Sequence, residues 1–589
     1  MEVRYVMPIA NFSMGEKLQL QSLKEDVRLS SLSSSAIDIL YNRGFTTVEA
    51  IEKHLYSTLD DIHPAYLLKD SDKFVEIVSE AIRNGDEITN YSDYDADGVT
   101  ASAVTVRGIR HAGGKINYYT NNRFIEGYGI TPKGVDNMLE LYPNTKLIIT
   151  TDNGIVAHEG IEYANSLGLK VIVTDHHEQG DRLPNALAVI NPKRKDCDYP
   201  FDGLCGVGVM FKLLLQLYWE MDLDLDYVYG LLDIVAMGTV GDLVPLVDEN
   251  RILVKEGLKR VKREDRLVFK KLREALGINK IDEETFGFTY CPILNALGRL
   301  DGSPEDAIEL LTTDDEIRME EIIKELVELN EKRKELTKEQ EQLGIQMVEA
   351  MSEVPNVIVL HDDTFHEGVV GLVAGRLKER YNRPTIVVAP HEKEIINEDG
   401  SKEVIKIFKG SARSIEGLHI KETFDELSDY LLGYGGHAMA GGLSIKADEL
   451  EAFTKAINKR ASEVLTAEDY VKKVYIDTAV SAKDVTVELI EEFEVLKPFG
   501  MSFAKPRFGL KDYKVDFTKF KTPYVGQDLC TLRLVSETNL TLMMFRHADL
   551  YKQLKEPVNI KAIGMPKLNV FNGNTTAQFV VENNYFHAV

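Results

Sequence analysis

Two short apolar runs with a helical stretch between them limit the folds that this chain can adopt. LIIT at 147–150 and VIVT at 171–174 are rich in β-branched residues and carry no charge, which is typical of strands buried on both faces. The intervening HEGIEYANSLG has the composition of a helix that ends at a glycine. This order of elements predicts a parallel sheet and an α/β fold, in which ligands bind at the carboxyl ends of the strands.

Acidic and imidazole side chains follow these strands. DYDADG at 93–98 comes after an expected strand over 87–91, TDNG and TDHH follow the two runs above, and MGTVGD at 237–242 follows the apolar run LLDIVAM. We interpret all four motifs as strand ends at one edge of the sheet, with the three aspartates of DYDADG on one strand face. Each motif alone is compatible with an ordinary turn.

Carboxylates crowded in this way need a positive partner. Two carboxylates about 4 Å apart repel by roughly 4 kcal/mol at an effective dielectric of 20. Four motifs at one edge therefore predict bound divalent cations. Mn²⁺ or Mg²⁺ fits best, because oxygen donors dominate and no thiolate is present.

A second α/β segment and a β-rich segment follow the first sheet. NVIVLHD at 356–362 and TIVVAP at 385–390 are expected strands, 368–381 is an expected helix, and 391–403 is an expected exposed hairpin tip. Short strands at close spacing after residue 470 predict a small barrel or sandwich.

A long charged helix is expected over 314–352. Apolar residues seven apart form one apolar seam along this helix, but Arg333 and Gln340 interrupt the second apolar seam that a coiled coil needs. A connector between domains is therefore favoured over a coiled coil. We therefore divide the chain into a first α/β domain with an N-terminal extension at 1–312, a connector at 313–353, a second α/β domain at 354–468 and a β-domain at 469–589.

Composition limits the environment and the partners. No apolar run reaches 18 residues, the start lacks a signal peptide, and the four cysteines are scattered, so we expect a reduced, cytoplasmic protein without membrane contact. The net charge of −26 argues against a protein coated in nucleic acid. The segment 496–589 differs, since its thirteen Lys/Arg and seven Asp/Glu give it a positive balance.

Taken together, the motifs resemble a known family. DYDADG, TDNG, TDHH and GTVGD resemble the four motifs of the DHH phosphoesterase superfamily, and GSARSIEGLHI (410–420) and GGHAMAGGLSI (435–445) resemble its DHHA1 partner domain. NRFIEGYGI (122–130), PILNALGR (292–299), FHEGVVGLVAGRL (365–377) and LKPFG (496–500) are similar to its single-strand-specific 5′→3′ exonucleases. The resemblance covers most of the chain. It implies a parallel-sheet DHH domain, a smaller α/β DHHA1 domain joined by the long helix, and a C-terminal OB-like barrel.

The resemblance also implies roles for particular residues. Two divalent cations, Mn²⁺ or Mg²⁺, would clamp a phosphodiester. The implied metal ligands are Asp95, Asp97, Asp152, His176 and Asp242. The remaining members of the cluster, as outer ligands, orienting groups or substrate contacts, are Asp93, Asp175 and His177. Tyr91 departs from those superfamily members that have a metal-ligating histidine at this position.

The substrate side is implied in the same way. Candidates for gripping a terminal 5′ phosphate or the nearby backbone are Arg123, Arg299, Ser411 and Arg413, and the loop expected near the scissile phosphate contains Gly435, Gly436 and His437. For each arginine the alternative is a salt bridge across the domain interface. The C-terminal aromatics suit base stacking, and the alternative for each is a place in the barrel core. They are Phe499, Phe503, Phe508, Tyr513, Phe517, Phe520 and Tyr524.

The implied function is hydrolysis of single-stranded DNA from its 5′ end to mononucleotides, in DNA repair and recombination. One alternative is a DHH hydrolase of short oligonucleotides or cyclic dinucleotides, or of pyrophosphate, and the barrel argues against these. Another is a scaffold that has lost its metal acids, and the intact acids argue against that. The expected partners are single-stranded DNA and a single-strand-binding protein or helicase that delivers it, with the chain itself a monomer.

Overall fold

A five-stranded parallel sheet organises the first half of the chain in the order β3-β2-β4-β5-β6. The computed structural model describes residues 3–122, 126–300, 303–396, 402–519, 523–526, 530–554, 558–571 and 573–588. Ser92 lies opposite Thr151, and Thr151 lies opposite Thr174, so the carboxyl ends of the three central strands are level. Strands β1 to β6 are Val3–Val6, Glu87–Ser92, Lys115–Thr120, Thr145–Thr151, Lys170–Thr174 and Ala188–Ile190.

Helices pack against this sheet. Helices α1 to α15 are Met14–Glu25, Ser34–Asn42, Val48–Tyr56, Ser71–Asn84, Ala96–His111, Pro132–Leu141, His158–Ser166, Gly206–Glu220, Leu225–Tyr229, Leu232–Gly241, Asp248–Arg263, Leu267–Ala275, Glu283–Thr285, Cys291–Leu297 and Pro304–Thr312. The strands expected at 147–150 and 171–174 and the helix between them are confirmed as β4, β5 and α7.

The run LLDIVAM was expected to be a strand, and this was wrong, because it forms helix α10. The helix is apolar on every side, so its residues show no helical periodicity that the sequence could reveal. It is buried between α5 and α11, and Gly257 of α11 lies so close to it that a Cβ would be 2.2 Å from the carbonyl oxygen of Leu232.

The expected connector is helix α16, Glu316–Glu349, and it leads into a second, five-stranded sheet. The sheet order is β10-β11-β9-β8-β7, with β7 parallel to β8 and the other pairs antiparallel. The expected tip at 391–403 belongs to the β8–β9 hairpin, with 397–401 outside the described residues. The elements are β7 Ile358–His361, α17 Val370–Tyr381, β8 Thr385–Ile396, β9 Lys402–Arg413, α18 Ile420–Glu426, β10 Leu431–Gly436, β11 Ala440–Lys446 and α19 Leu450–Val464.

The C-terminal segment forms a seven-stranded mixed sheet in the order β13-β14-β18-β19-β17-β16-β15, which matches the expected β-rich domain. Four of its aromatic residues are buried in the core, namely Phe499, Phe503, Phe508 and Tyr513. Phe520 lies outside the described residues. The elements are β12 Lys472–Tyr475, β13 Thr478–Ser481, α20 Val487–Glu492, β14 Phe508–Lys514, β15 Tyr524–Val525, β16 Thr531–Val535, β17 Thr541–Met544, β18 Asn559–Phe571 and β19 Asn574–Ala588.

The N-terminal helices share a hydrophobic core with this C-terminal sheet. Leu40 and Ile51 belong to the same buried cluster as Phe503 and Leu542, and β1 pairs in parallel with β12. The first and last segments of the chain therefore form one packed unit.

Arg251 of α11 joins that unit to the helices around the parallel sheet. Its buried guanidinium donates to the carbonyl oxygens of His54 at 2.8 Å, Lys497 at 2.8 Å and Pro498 at 2.9 Å, and it lies over the ring of Phe503. Within the described ranges, no helix is long and apolar enough to cross a membrane.

Candidate metal centre and substrate cleft

The DYDADG motif turns from a strand into a helix. Strand β2 ends at Ser92, and Asp95 caps α5 by accepting hydrogen bonds from the backbone N–H groups of Asp97 and Gly98, at 2.9 and 3.1 Å. The three aspartates therefore do not share a strand face, and that expectation was wrong. A Cβ at Gly98 would lie 2.4 Å from the carbonyl oxygen of Asp93, so the turn requires glycine here.

Asp97 is held by the start of α8, a contact that no motif predicted. Its carboxylate accepts the backbone N–H groups of Gly206 at 2.5 Å and Val207 at 2.9 Å. A Cβ at Gly206 would lie 2.7 Å from the Cβ of Asp152 and 3.0 Å from Asp97 Oδ2. The only signal in the sequence was a pair of glycines, CGVGVM, at the start of an apolar helix.

The TDNG motif forms a strained turn after β4. Asp152 has φ of 62°, in the left-handed region that aspartate enters at a cost. The side-chain amide of Asn153 donates to the carbonyl oxygens of Tyr91 at 3.1 Å and Thr151 at 3.0 Å, which ties the ends of β2 and β4 together. The turn thus fixes Asp152 at the edge of the sheet.

The TDHH motif is organised by Asp175. Its carboxylate accepts the backbone N–H groups of Ile155, His176 and His177 at 2.9, 2.7 and 3.1 Å, and lies 2.7 Å from His177 Nδ1. Burial alone would raise the pKa of Asp175, but the hydrogen bond and charge of His177 outweigh it and hold the pKa below its usual value. His177 Nε2 lies 3.3 Å from the hydroxyl of Tyr128.

These motifs converge on His176. Its Nε2 lies 3.0 Å from Asp152 Oδ1, 3.5 Å from Asp242 Oδ2 and 3.8 Å from Asp97 Oδ2. Asp242 comes from the carboxyl end of α10 and not from a strand, as the corrected element requires. Among the described residues, three groups have potential ligand atoms within 4.8 Å of one another: Asp152, His176 and His177; Asp97, His176 and Asp242; and Asp93, Asp95 and Asp152.

The electrostatics of the cluster fit divalent cations. Burial and then repulsion between carboxylates raise the pKa of Asp93 to about 8, of Asp97 to about 7 and of Asp242 to about 9, and raise that of Asp152 well above its usual value. Asp152 Oδ1, Asp242 Oδ2 and both ring nitrogens of His176 are buried without a hydrogen bond. Oxygen and imidazole donors of this kind suit Mn²⁺ or Mg²⁺.

Tyr91 points away from this cluster. Its side chain is fully buried in a core with Tyr119, Val135 and Met138, and its hydroxyl faces Gly134, where a Cβ would lie 2.0 Å away. Tyr91 is therefore a core side chain, and it is not part of the cluster of acids around His176.

A cleft of about 740 Å³ lies between the two α/β domains. Of the predicted residues, it is lined by Asp95, Arg299, Ser411, Arg413, Gly435 and Gly436. The residues of its wall that were not predicted include Tyr128, Glu367, Gly371 and Lys409. His437 follows Gly436 in the β10–β11 turn and is exposed, but it does not line the cleft, and Arg123 lies outside the described residues.

Arg413 forms a cationic pocket in the wall of this cleft. Its Nη1 donates to Ser411 Oγ and to the carbonyl oxygen of Ala412, both at 2.8 Å, and within the described ranges no carboxylate lies at ion-pair distance. Burial lowers the pKa of its guanidinium. A Cβ at Gly371, in the first turn of α17, would lie 3.1 Å from Ser411 Oγ and 3.2 Å from Arg413 Nη2. The salt-bridge alternative thus fails for Arg413, and the pocket suits an anion.

Known protein families match three parts of the chain. The profile described as "DHH family, N-terminal domain" matches residues 87–239, the "DHHA1 domain" matches 354–463, and the "RecJ OB domain" matches 476–583.

Curated proteins and a solved structure match most of the chain. The single-stranded-DNA-specific exonuclease RecJ of Bacillus subtilis (strain 168) is 34% identical over 567 residues, which are 96% of this chain and 69% of the relative. RecJ of Escherichia coli (strain K12) is 36% identical over 79% of this chain and 81% of the relative. The crystal structure of RecJ in complex with Mn²⁺ from Thermus thermophilus superposes with a TM-score of 0.81 at 26% identity, over 100% of this chain and 80% of that one.

Proposed function

The chain belongs to the RecJ family of single-stranded-DNA-specific exonucleases, and from that premise we propose which of its residues carry out the reaction. The substrate is single-stranded DNA and the cofactor is Mn²⁺ or Mg²⁺. One observation carries the proposal: Asp95, which lies within ligand distance of Asp152, lines the same cleft as Arg413, a partly buried arginine that no carboxylate pairs within the described ranges.

Two cations would be held by Asp95, Asp97, Asp152, His176 and Asp242. The three overlapping ligand groups support two adjacent sites, since Asp152 and His176 each belong to two of them. Asp93 lies within one of these groups and is proposed as a further outer ligand. Bound cations would polarise the scissile phosphate and lower the pKa of a water that attacks it.

The remaining residues of the cluster orient the reacting groups. Asp175 holds Nδ1 of His177, so that Nε2 of the ring faces Tyr128 and the cleft. The N-terminus of α8 fixes both oxygens of Asp97, which leaves its carboxylate a single orientation next to His176. We assign Asp175 and these backbone groups to positioning, and His177 to contact with the substrate at the scissile phosphate.

The pocket of Arg413, Ser411 and Gly371 is proposed to bind the terminal 5′ phosphate. The start of α17 adds the partial positive charge of a helix N-terminus, and the missing side chain at Gly371 leaves room for the phosphate oxygens. Arg299 and the β10 glycines Gly435 and Gly436 form the neighbouring wall. A 5′ phosphate held in this pocket would lie at a fixed distance from the metal centre, and this supports cutting from the 5′ end.

The positively charged C-terminal domain is proposed to bind the strand beyond the cleft. Of its predicted stacking residues, Phe499, Phe503, Phe508 and Tyr513 are buried, which leaves the partly exposed Phe517 and Tyr524 to stack on bases. Lysine and arginine side chains would contact the DNA backbone beside them. We further propose a monomer that acts in the cytoplasm, in DNA repair and recombination, on DNA delivered by a single-strand-binding protein or a helicase. The domain limits 1–312, 313–353, 354–468 and 469–589 are part of the same proposal.

The first experiment follows the release of label from single-stranded DNA. With 5′-labelled DNA in Mn²⁺ or Mg²⁺, we expect the label to appear at once as mononucleotide, whereas 3′-labelled strands shorten gradually, and EDTA stops both. Asp152→Asn should abolish the release, while Asp198→Asn, at an exposed acid, should leave it unchanged. Immediate loss of the 3′ label would contradict the proposed polarity, and hydrolysis of dinucleotides alone would favour the small-substrate alternative.

A second experiment tests the phosphate pocket with two glycines of one helix. Gly371→Ala places a methyl group against Ser411 and Arg413, whereas Gly375→Ala, one turn later in α17, meets no atom within 4 Å. We expect Gly371→Ala to reduce the preference for 5′-phosphorylated over 5′-hydroxyl strands and Gly375→Ala to retain it. Equal behaviour of the two variants would contradict the assignment of the pocket.

A further inference from the structure

Gln340 breaks the apolar seam of the connector helix α16 and is buried there. It is 4% exposed, and it continues a polar stripe in which Asn330 and Thr337 are also buried. Ile322, Leu326, Ile345 and Val348, nearer the two ends of the helix, give the buried face its apolar character. A buried amide costs free energy unless both its donor and its acceptor are paired, so its partners reveal its role.

Both ends of the amide hold the backbone of one loop. Gln340 Nε2 donates to the carbonyl oxygen of Thr364 at 2.8 Å, and Oε1 accepts the N–H of His366 at 3.2 Å. The carbonyl of His366 in turn accepts the N–H groups of Val369 and Val370, where α17 begins. The loop from Thr364 to Val370 is therefore set at its first residues by the connector helix.

The same loop leads into the proposed phosphate pocket. The N–H of Gly368 donates to His366 Nδ1 at 3.0 Å, and its carbonyl oxygen accepts from Arg299 Nη1 at 3.4 Å. Three residues later Gly371 lies against Ser411 and Arg413. A shift of the loop at Thr364 would thus move the start of α17 relative to Arg413, which stands on a different element, β9.

We infer that Gln340 is a positioning residue for the terminal-phosphate pocket, through which the connector helix sets the pocket's place relative to the metal centre. The inference rests on the proposed function of that pocket. An apolar side chain at this position could fill the same space, but it could not hold the backbone of residues 364–366 in one register. The polar break in the seam is explained by this requirement.

The test compares Gln340→Met with Gln342→Met, the same change at an exposed position two residues later. Steady-state kcat and KM are measured for 5′-phosphorylated and 5′-hydroxyl strands of one sequence. We expect Gln340→Met to raise KM for the phosphorylated strand about tenfold, as the loss of one or two hydrogen bonds predicts, with kcat and the hydroxyl substrate unchanged. Because each preparation is compared with itself on two substrates, a lower folded fraction does not alter the ratio.

A double variant separates positioning from a general structural role. In an Arg413→Gln background the pocket is already lost, so adding Gln340→Met should change KM no further. An equal increase in KM for both strands, or an increase in KM that adds to that of Arg413→Gln, would overturn the inference. If the wild-type protein discriminates between the strands and Gln340→Met still does, this inference alone fails. If the wild-type protein shows no discrimination, the proposed pocket fails with it.

Discussion

Replacing Gly206 with alanine tests how the metal centre is built, without removing any proposed ligand. A Cβ at this position would lie 2.7 Å from the Cβ of Asp152 and 3.0 Å from Asp97 Oδ2. Carbon atoms in contact are normally about 3.5–4.0 Å apart, so the two proposed ligand acids must separate from α8 by about 1 Å. A misplacement of about 1 Å in a catalytic group can cost about a hundredfold in rate.

The stability change should be small beside this loss of activity. Overpacking costs about 1–3 kcal/mol, and glycine to alanine within a helix returns up to about 1 kcal/mol. We therefore expect Gly206→Ala to remain folded, with kcat on single-stranded DNA about a hundredfold lower and a higher Mn²⁺ concentration needed for half-maximal rate.

The matched control is Gly208→Ala on the same helix. The nearest neighbour of a Cβ at Gly208 would be Leu204 Cδ2 at 3.3 Å, the end of a flexible side chain. We expect wild-type activity and an equal or higher melting temperature. Wild-type kcat and an unchanged Mn²⁺ dependence in Gly206→Ala would refute the claim that the start of α8 fixes Asp97 and Asp152.

Three further predictions concern stability. Arg251→Met leaves several buried carbonyl oxygens without their donor, so it should lower the free energy of unfolding, measured in urea, by about 2–4 kcal/mol. The control Arg260→Met on the same helix should change it by less than about 1 kcal/mol. Equal effects of the two variants would contradict the bridging role of Arg251. Burial lowers the pKa of His54 from 6.5 to about 2, so the unfolded chain binds the proton first. The part of the free energy of unfolding that depends on neutral His54 is therefore present above pH 6.5 and is lost as the pH falls toward 2. Between pH 7 and 5 the free energy of unfolding of the wild type should fall by about 2 kcal/mol more than that of His54→Phe. Equal decreases in the two proteins would refute this. In EDTA, Asp152→Asn should melt at a higher temperature than the wild type, since it relieves carboxylate repulsion, and Mn²⁺ should reverse the order; a lower melting temperature in EDTA would show that repulsion is not the dominant effect.

The central sheet was predictable because its signals are local. β4 and β5 are short, apolar and β-branched, and level carboxyl ends follow from parallel pairing, so Asp152 and His176 were expected at one edge. Helix α10 was not predictable, because an apolar run of this length has the same appearance in a buried strand and in a buried helix. Asp242 was nevertheless placed correctly in the cluster, since either element ends at the same point of the chain.

The contacts between distant segments could not be predicted from local patterns. Gly206 supports Asp97 from 109 residues away, and Tyr128 meets His177 across 49 residues. Neither contact leaves a periodicity or a spacing in the sequence. The buried state of the C-terminal aromatics has the same cause, because the partners of Phe503 include Phe45 and His54.

The shared core of the chain's two ends has a consequence for synthesis on the ribosome. Asn42 donates to the carbonyl oxygen of Asp477, 435 residues further along the chain. At about 5–20 residues per second, α2 emerges roughly 20–90 s before the strands that will cover it. Helix α1 contacts α2 from the start, but the part of α2 that packs on β13 stays uncovered while the DHH and DHHA1 domains are made. The nascent protein therefore exposes this apolar surface until β13 has been synthesised.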